Sequence, residues 1–269
     1  MPSLENITVI IVTYLTQKHI LINCLKSIDN RVKIKIVENS QNFELKNEIL
    51  SNFNNVEIVC TGENLGYGKG NNFGINHVKT DYVLILNPDV TCEDKFFNNI
   101  ISVANKAEDF TIIGCQYLSD NIFMPAGFFD ENQNNGFIKN FKNNDVKPLS
   151  TVEWVTGCSM LINLKKFSDK NIFDKNFFLY FEEFDLCKSI AKSGGKIYTS
   201  RELKIHHLGF KSSLNDDEIE NRKMINLKDW HYMWSSFYFY KKNYSYIFAL
   251  KKLSGKFLRS FFKMIYYSV

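Results

Sequence analysis

Ile7-Thr-Val-Ile-Ile-Val-Thr13 and Tyr82-Val-Leu-Ile-Leu-Asn87 are the stretches that decide the fold. Each is a nearly unbroken β-branched and aliphatic run with little polar alternation, as a strand buried on both faces requires. Ile34–Glu38, Val56–Thr61 and Thr111–Gln116 read as further strands, and Lys18–Asp29, Phe43–Phe53, Gly70–Val78 and Glu93–Glu108 between them have helical spacing. Such alternation builds right-handed βαβ units and a mostly parallel sheet. Ligands of these sheets bind beyond the carboxyl ends of the strands, so the residues after each strand carry the functional information.

Downstream, Tyr117–Pro148 is rich in Asn, Asp and Gly and is expected to be a long loop. Trp154–Asn163 reads as one strand, and a helix follows at about Phe181–Ser193, stopped by Gly194-Gly195. Lys196–Thr199 and Leu203–His207 read as two short strands, Asp216–Asp229 as a polar helix, and the remainder as an aromatic, basic tail.

Composition excludes several classes. With 45% hydrophobic and 23% charged residues in 269, the chain has enough apolar material for a core and is not disordered. Six cysteines without a Cys-x-x-Cys pair read as small buried hydrophobes rather than zinc, iron–sulfur or redox ligands. No run of about 18 apolar residues is present and Met1–Glu5 lacks a basic leader, so the expected compartment is the cytoplasm. Seven basic and no acidic residues lie between Trp230 and Val269, together with 15 of the 40 aromatics, which leaves the first 229 residues at −3. The body is mildly acidic and the tail basic.

Four strand ends deliver polar groups to one edge: Thr13-Tyr14, Glu38-Asn39-Ser40, Glu63-Asn64-Leu65-Gly66 and Asn87-Pro88-Asp89. The run from Gly62 to Asn72 fails the P-loop pattern, because Gly70 follows Lys69 where Ser or Thr is needed. It also follows the third strand rather than the first, which disfavours a nicotinamide cofactor. Its glycines are read as letting backbone pass close to a ligand. Asp89, held by Pro88, is placed to reach a divalent cation bound mainly by ligand phosphates, or else caps the next helix. Glu182, Glu183 and Asp185 beside Phe177–Phe181 suit a general base with a raised pKa, or a solvated first helical turn. His206 and His207 point to opposite faces of a strand, so at most one faces the site. His19, His77 and His231 have no comparable setting.

In this order the motifs resemble family 2 glycosyltransferases, especially the rhamnosyltransferase-like branch that builds cell-surface polysaccharide. The resemblance runs through Val9–Tyr14, Ile36–Ser40, Glu63–Asn72, Leu84–Asp89, Gly157–Leu161, Phe173-Asp174, Tyr180–Cys187 and His206–Gly209. It implies an α/β chain of GT-A type: a Rossmann-like, mostly parallel sheet flanked by helices over 1–212, with a helical aromatic-basic extension over 213–269. It also implies that Thr13, Tyr14, Glu38, Asn64, Gly66, Asn72 and Asn87 bind a nucleoside-diphosphate sugar. Asp89 and His206 would hold Mg2+ or Mn2+. Glu183 would be the catalytic base where the family has Asp, with Glu182 and Asp185 as alternates. The implied reaction is inverting transfer of a sugar, rhamnose among the options, to a lipid-linked or polysaccharide acceptor.

The tail adds a location. Leu250, Leu253, Phe257, Leu258, Phe261, Met264 and Ile265 share one side of a helical projection, and Lys252, Lys256, Arg259 and Lys263 the other. Such a helix lies in an anionic membrane interface, which makes the protein peripheral on the cytoplasmic face of the inner membrane and disfavours nucleic acid as partner. Packing on the catalytic body or a second subunit is the competing reading. From another class stands a non-catalytic nucleotide-sugar-binding or membrane-scaffold protein of the same fold.

Overall fold

The structure, a computed structural model, describes residues 2–118, 126–142, 145, 147–209, 218–255 and 257. Ile7–Thr13 (β1), Lys33–Glu38 (β2), Val56–Cys60 (β3) and Tyr82–Leu86 (β4) form the parallel half of a nine-stranded sheet in the order β3-β2-β1-β4. The sheet continues through a mixed half built from Val90–Cys92 (β5), Phe110–Leu118 (β6), Leu149–Val152 (β8), Ser159–Asn163 (β10) and Lys196–His207 (β11). Ala126–Gly127 (β7) and Trp154–Val155 (β9) form a separate two-stranded ribbon. Helices Lys18–Lys26 (α1), Lys46–Asn52 (α2), Gly66–Asn76 (α3), Phe96–Lys106 (α4), Glu131–Lys142 (α5) and Glu182–Lys192 (α6) lie between the strands.

Alternate residues of each central strand feed two core layers, as a two-sided sheet requires. Ile7, Val9, Ile11, Leu84, Leu86 and Leu161 pack on one face, while Ile10, Val83, Ile85, Met160 and Ile162 pack on the other. Five of the six cysteines are buried, and burial pushes the Cys24, Cys115 and Cys187 thiols up to about 12.

Several expected elements are redrawn. The single strand expected over Trp154–Asn163 is divided into β9 and β10, because residues 156–158 turn away between them and Asn87 N–H binds the Cys158 carbonyl at 2.9 Å. The two short strands expected near 196–207 are one strand with an irregularity between Ser200 and Lys204. Its first half pairs with β8 and its last residues with β5. Part of the expected loop before Pro148 is α5. The polar helix expected to end at Asp229 continues as a 26-residue helix, Glu218–Asn243 (α7), followed by a helix over 246–255 (α8). Among the described residues no helix is long and apolar enough to cross a membrane.

Gly70 and Gly74 of α3 face protein rather than a ligand. A Cβ on Gly70 would lie 2.9 Å from Val12 Cγ1, and one on Gly74 would lie 2.8 Å from Ile10 Cγ2 and 2.9 Å from Val37 Cγ2. Bare backbone therefore lets α3 settle onto β1 and β2. Gly66 has φ +77°, and its added Cβ would stand 2.1 Å from the Phe178 carbonyl oxygen.

Gly74→Val is expected to lower unfolding stability by about 1–3 kcal/mol through overpacking. Gly136→Ala in α5, where nothing lies within 4 Å, should raise it by about 1 kcal/mol or less through helix propensity. Chemical denaturation of both variants against the parent checks the pair.

Candidate active site

One cleft of about 620 Å³ opens where β1 and β4 end. Its lining brings Thr13, Tyr14, Asn64, Gly66, Asn87, Asp89, Glu182 and Glu183 together with His207. Asp89 sits in the turn between β4 and β5, so it caps no helix: α4 begins only at Phe96. The end of β11 closes on this turn, with Leu208 N–H donating to the Asp89 carbonyl at 3.1 Å.

The register of β11 decides the histidine. His207 pairs with Val90 and His206 with Thr91, and alternation along the strand sends their rings to opposite faces. His207 Nε2 lies 3.3 Å from Asp89 Oδ1. His206, with its side chain 56% exposed, approaches Glu93 instead, at 3.7 Å. His207, not the expected His206, therefore stands beside Asp89 and lines the cleft.

Three other expected site residues are placed elsewhere. Asn72 donates to the Phe173 carbonyl at 2.8 Å and accepts from Phe173 N–H at 3.0 Å, so its amide is consumed in holding that segment and does not line the cleft. Glu38 is buried and accepts the Thr13 hydroxyl at 2.6 Å; burial raises its pKa, opposed by hydrogen bonds from Thr13 and Ser40. It does not open onto the cleft, and neither does Asp185. Asp185 accepts from Lys242 Nζ at 2.6 Å and Asn243 Nδ2 at 2.8 Å, which makes it an anchor for α7 rather than a free base.

Glu182 and Glu183 occupy the first turn of α6. A helix N-terminus favours negative charge, yet burial acts more strongly here. Burial raises Glu183 to about 7 against hydrogen bonds from the backbone of Glu183, Gly157 and Phe184. Burial also raises Glu182 well above the usual carboxylate range, and the charge of Glu183 adds to it. Tyr67, whose hydroxyl donates to the Gly157 carbonyl, lines the same wall. The chain enters α6 through two left-handed residues, Tyr180 with φ 70° and Phe181 with φ 68°. Each costs about 1–2 kcal/mol for a residue with a Cβ. Tyr232 of α7 packs against both rings, at 5.7 and 5.4 Å between centroids.

Two atoms have a particular bearing on ligands. Asp89 Oδ1 and Glu182 Oε2 are buried and accept no hydrogen bond among the described residues. His207 stands at ion-pair distance from the first, with Nε2 at 3.3 Å. A site with one carboxylate oxygen and one imidazole in reach fits a divalent cation that takes most of its ligands from phosphate oxygens and water. Among the described residues there is no cluster of three or more His, Cys, Asp or Glu that would hold a metal unaided.

Reading the sequence alone passes over Met224, Leu227, Lys228 and His231, which α7 contributes to the cleft. His231 stacks on Phe178 at 4.4 Å, and burial lowers its pKa. The signal that would have found them is a heptad stripe of residues that are mostly not aliphatic: 224, 228, 231, 235, 238 and 242. Ser235 donates to the Leu179 carbonyl at 2.7 Å, Tyr238 packs on Phe177, and Lys242 bridges Asp174 and Asp185.

The profile described as glycosyl transferase family 2 matches residues 8–166. The rhamnosyltransferase WbbL of Escherichia coli K12 is 24% identical over 202 residues, covering 66% of this chain and 73% of that protein. The low-salt glycan biosynthesis hexosyltransferase Agl10 of Haloferax volcanii is 25% identical over 201 residues, covering 68% of this chain and 61% of that protein. Among solved structures, TarS 1–349 of S. aureus superposes with TM-score 0.56 at 11% identity, over 75% of this chain and 60% of its own. GalNAc-T7 with UDP, GalNAc and Mn2+ superposes with TM-score 0.57 at 13% identity, over 87% and 50%.

Lys242→Ala leaves the buried Asp185 carboxylate without its cation, and is expected to lower unfolding stability by about 1–3 kcal/mol. Denaturant titration of the variant measures it; an unchanged midpoint would show that the Lys242 ion pairs add nothing to the hold on α7.

Proposed function

The chain belongs to glycosyl transferase family 2 and has its GT-A fold, and from that premise we propose that it transfers a hexosyl or deoxyhexosyl group from a nucleoside diphosphate to a lipid-linked or polysaccharide acceptor with inversion. The observation that carries this reading is that one cleft brings Asp89 and His207 together with Glu182 and Glu183. WbbL and Agl10 are named as rhamnosyl- and hexosyltransferases, and GalNAc-T7 is described with UDP and Mn2+, which supports the donor class.

Asp89 and His207 would hold the divalent cation, Asp89 through the buried oxygen that His207 approaches and that accepts no hydrogen bond among the described residues. When bound, that cation would neutralise charge growing on the leaving diphosphate. Glu183 takes the proton of the acceptor hydroxyl. The acceptor oxygen bonds to the anomeric carbon as the bond from that carbon to phosphate oxygen breaks, and the electron pair leaves with the diphosphate. One displacement inverts the centre, and no covalent glycosyl-enzyme forms. Thr13, Tyr14, Asn64, Gly66 and Asn87 line the space for nucleotide and sugar.

A membrane-held acceptor is supported by the outer face of the C-terminal helices. Trp230 and Trp234 are 64% and 51% exposed, and Ile247, Leu250 and Phe257 are exposed on α8 and just after it. Lys241 and Lys251 are exposed on the same helices, and no acidic residue falls after Asp229. Aromatic and basic groups together suit an anionic lipid interface. Of the amphipathic pattern read over 246–267, residue 256 and the positions beyond 257 lie outside the described residues.

Glu183→Gln should retain donor binding by calorimetry and lose transfer by roughly 10²- to 10⁴-fold, whereas Asp89→Asn should lose the divalent-cation dependence of donor binding. Because the base must be ionised, the parent's rate should climb with pH until about 7 and then level off. A rate flat from pH 6 to 8 would remove Glu183 from that role.

Trp230→Ala with Trp234→Ala should weaken sedimentation with phosphatidylglycerol vesicles at least about tenfold, equivalent to 1.4 kcal/mol. Equal sedimentation of the double variant and the parent would discard this face as the lipid contact.

A further inference from the structure

The charge of the cleft is unbalanced. Three carboxylates, Asp89, Glu182 and Glu183, line it, and of the chain's 33 Lys and Arg residues Lys228 alone does so among the described residues. A diphosphate entering this space meets the Asp89 carboxylate and two carboxyl groups that burial holds near or above neutrality, so its charge needs positive partners inside the cleft.

The placement of Lys228 is fixed by its helix. It lies seven residues before Ser235 and fourteen before Lys242, and heptad spacing returns to the same face of a helix with a drift of about 20° per repeat. Ser235 and Lys242 are both bonded to the catalytic body, to the Leu179 carbonyl and to Asp174 and Asp185. The stripe therefore turns Lys228 inward, into the cleft that Asp89 also lines. Lys228 is half-buried, and among the described residues no carboxylate pairs with it. Burial lowers its pKa, while the charge of Asp89 acts in the opposite direction and favours the ammonium form.

We infer that Lys228 is a diphosphate-binding residue, supplied by the C-terminal helix, that contacts the leaving group of the donor. This rests on the proposed reaction. It assigns α7 a direct part in donor recognition: the helix completes a cleft that the sheet edge leaves short of positive charge. A lysine suits the role because its ammonium is a point charge on a flexible stem and needs no fixed planar geometry to follow phosphate oxygens.

Calorimetric titration with UDP, dTDP, uridine and thymidine in the presence of Mg2+ tests the inference on the full chain. Lys228→Met should weaken the bound diphosphate roughly 10- to 100-fold and leave the matching nucleoside unchanged. Lys228→Arg should restore most of the loss, with the melting temperature of the ligand-free variants at the parent's value. Equal diphosphate affinity in parent and Lys228→Met would overturn the inference while leaving the glycosyltransferase reading intact. Parallel loss of nucleoside affinity and melting temperature would overturn it in favour of a packing role. If the parent binds neither diphosphate, the proposed reaction fails and the inference fails with it.

Discussion

A buried carboxylate, Asp185, held by the Lys242 ammonium and the Asn243 amide, ties the last long helix to the helix that carries the acidic pair. Much of the cleft depends on that tie. Asp185 lies two residues beyond Glu183, so whatever fixes one fixes the turn that presents the other. Lys242 also reaches Asp174, next to the Phe173 segment that Asn72 holds from α3. Three elements distant in sequence are thus joined around the entry to α6. The left-handed pair Tyr180-Phe181 persists because this surrounding structure over-determines it, with α7 aromatics packed on its outer side.

The acidic pair shows which force wins at that entry. Helix-terminal amides and the backbone of Gly157 pull the Glu183 pKa down, and burial pushes it up by more. A carboxyl group brought near neutrality is a stronger proton acceptor than an ordinary surface carboxylate, which is what a base working at neutral pH needs. The arrangement costs stability. A carboxyl whose folded pKa lies above its unfolded value stabilises the fold below the unfolded value, and that contribution is lost as pH rises towards about 7. The site trades folding free energy for basicity, and the anchor at Asp185 offsets part of the loss.

The sequence makes the parallel half of the sheet legible because Ile7–Thr13 and Tyr82–Leu86 are buried on both faces and cannot carry polar alternation. Strand ends therefore point to Thr13, Asn87 and Asp89, all of which line the cleft. Choosing between His206 and His207 required the β11–β5 register, which pairing sets and no local spacing reveals. Asn72 and Asp185 look like site residues by type and motif position, and are spent on tertiary hydrogen bonds that only packing shows. The glycines after β3 carry two signals that sequence cannot separate, close approach to a ligand and close approach to a sheet. At Gly70 and Gly74 the second holds, while Gly66 lines the cleft. Helix α7 escapes a hydrophobic-period reading because its inward stripe includes Lys228, His231, Ser235 and Lys242, while Trp230 and Trp234 point to solvent.

That inversion has a functional logic. A helix that buried its tryptophans would pack tightly, but it would present no apolar surface outside and no charge inside. Here Leu227 both lines the cleft and remains 46% exposed, so it marks the rim where the two faces of α7 meet. Along the outer face the apolar stripe continues through Trp230 and Trp234; along the inner face run Lys228 and His231. In the proposed reaction, an acceptor held in a lipid interface must bring one hydroxyl to Glu183 while its hydrophobic anchor stays out of the polar cleft. A helix with its polarity reversed meets both demands with one rigid element, because fixing its inner face on Asp185 and Leu179 fixes where its outer face sits relative to the base.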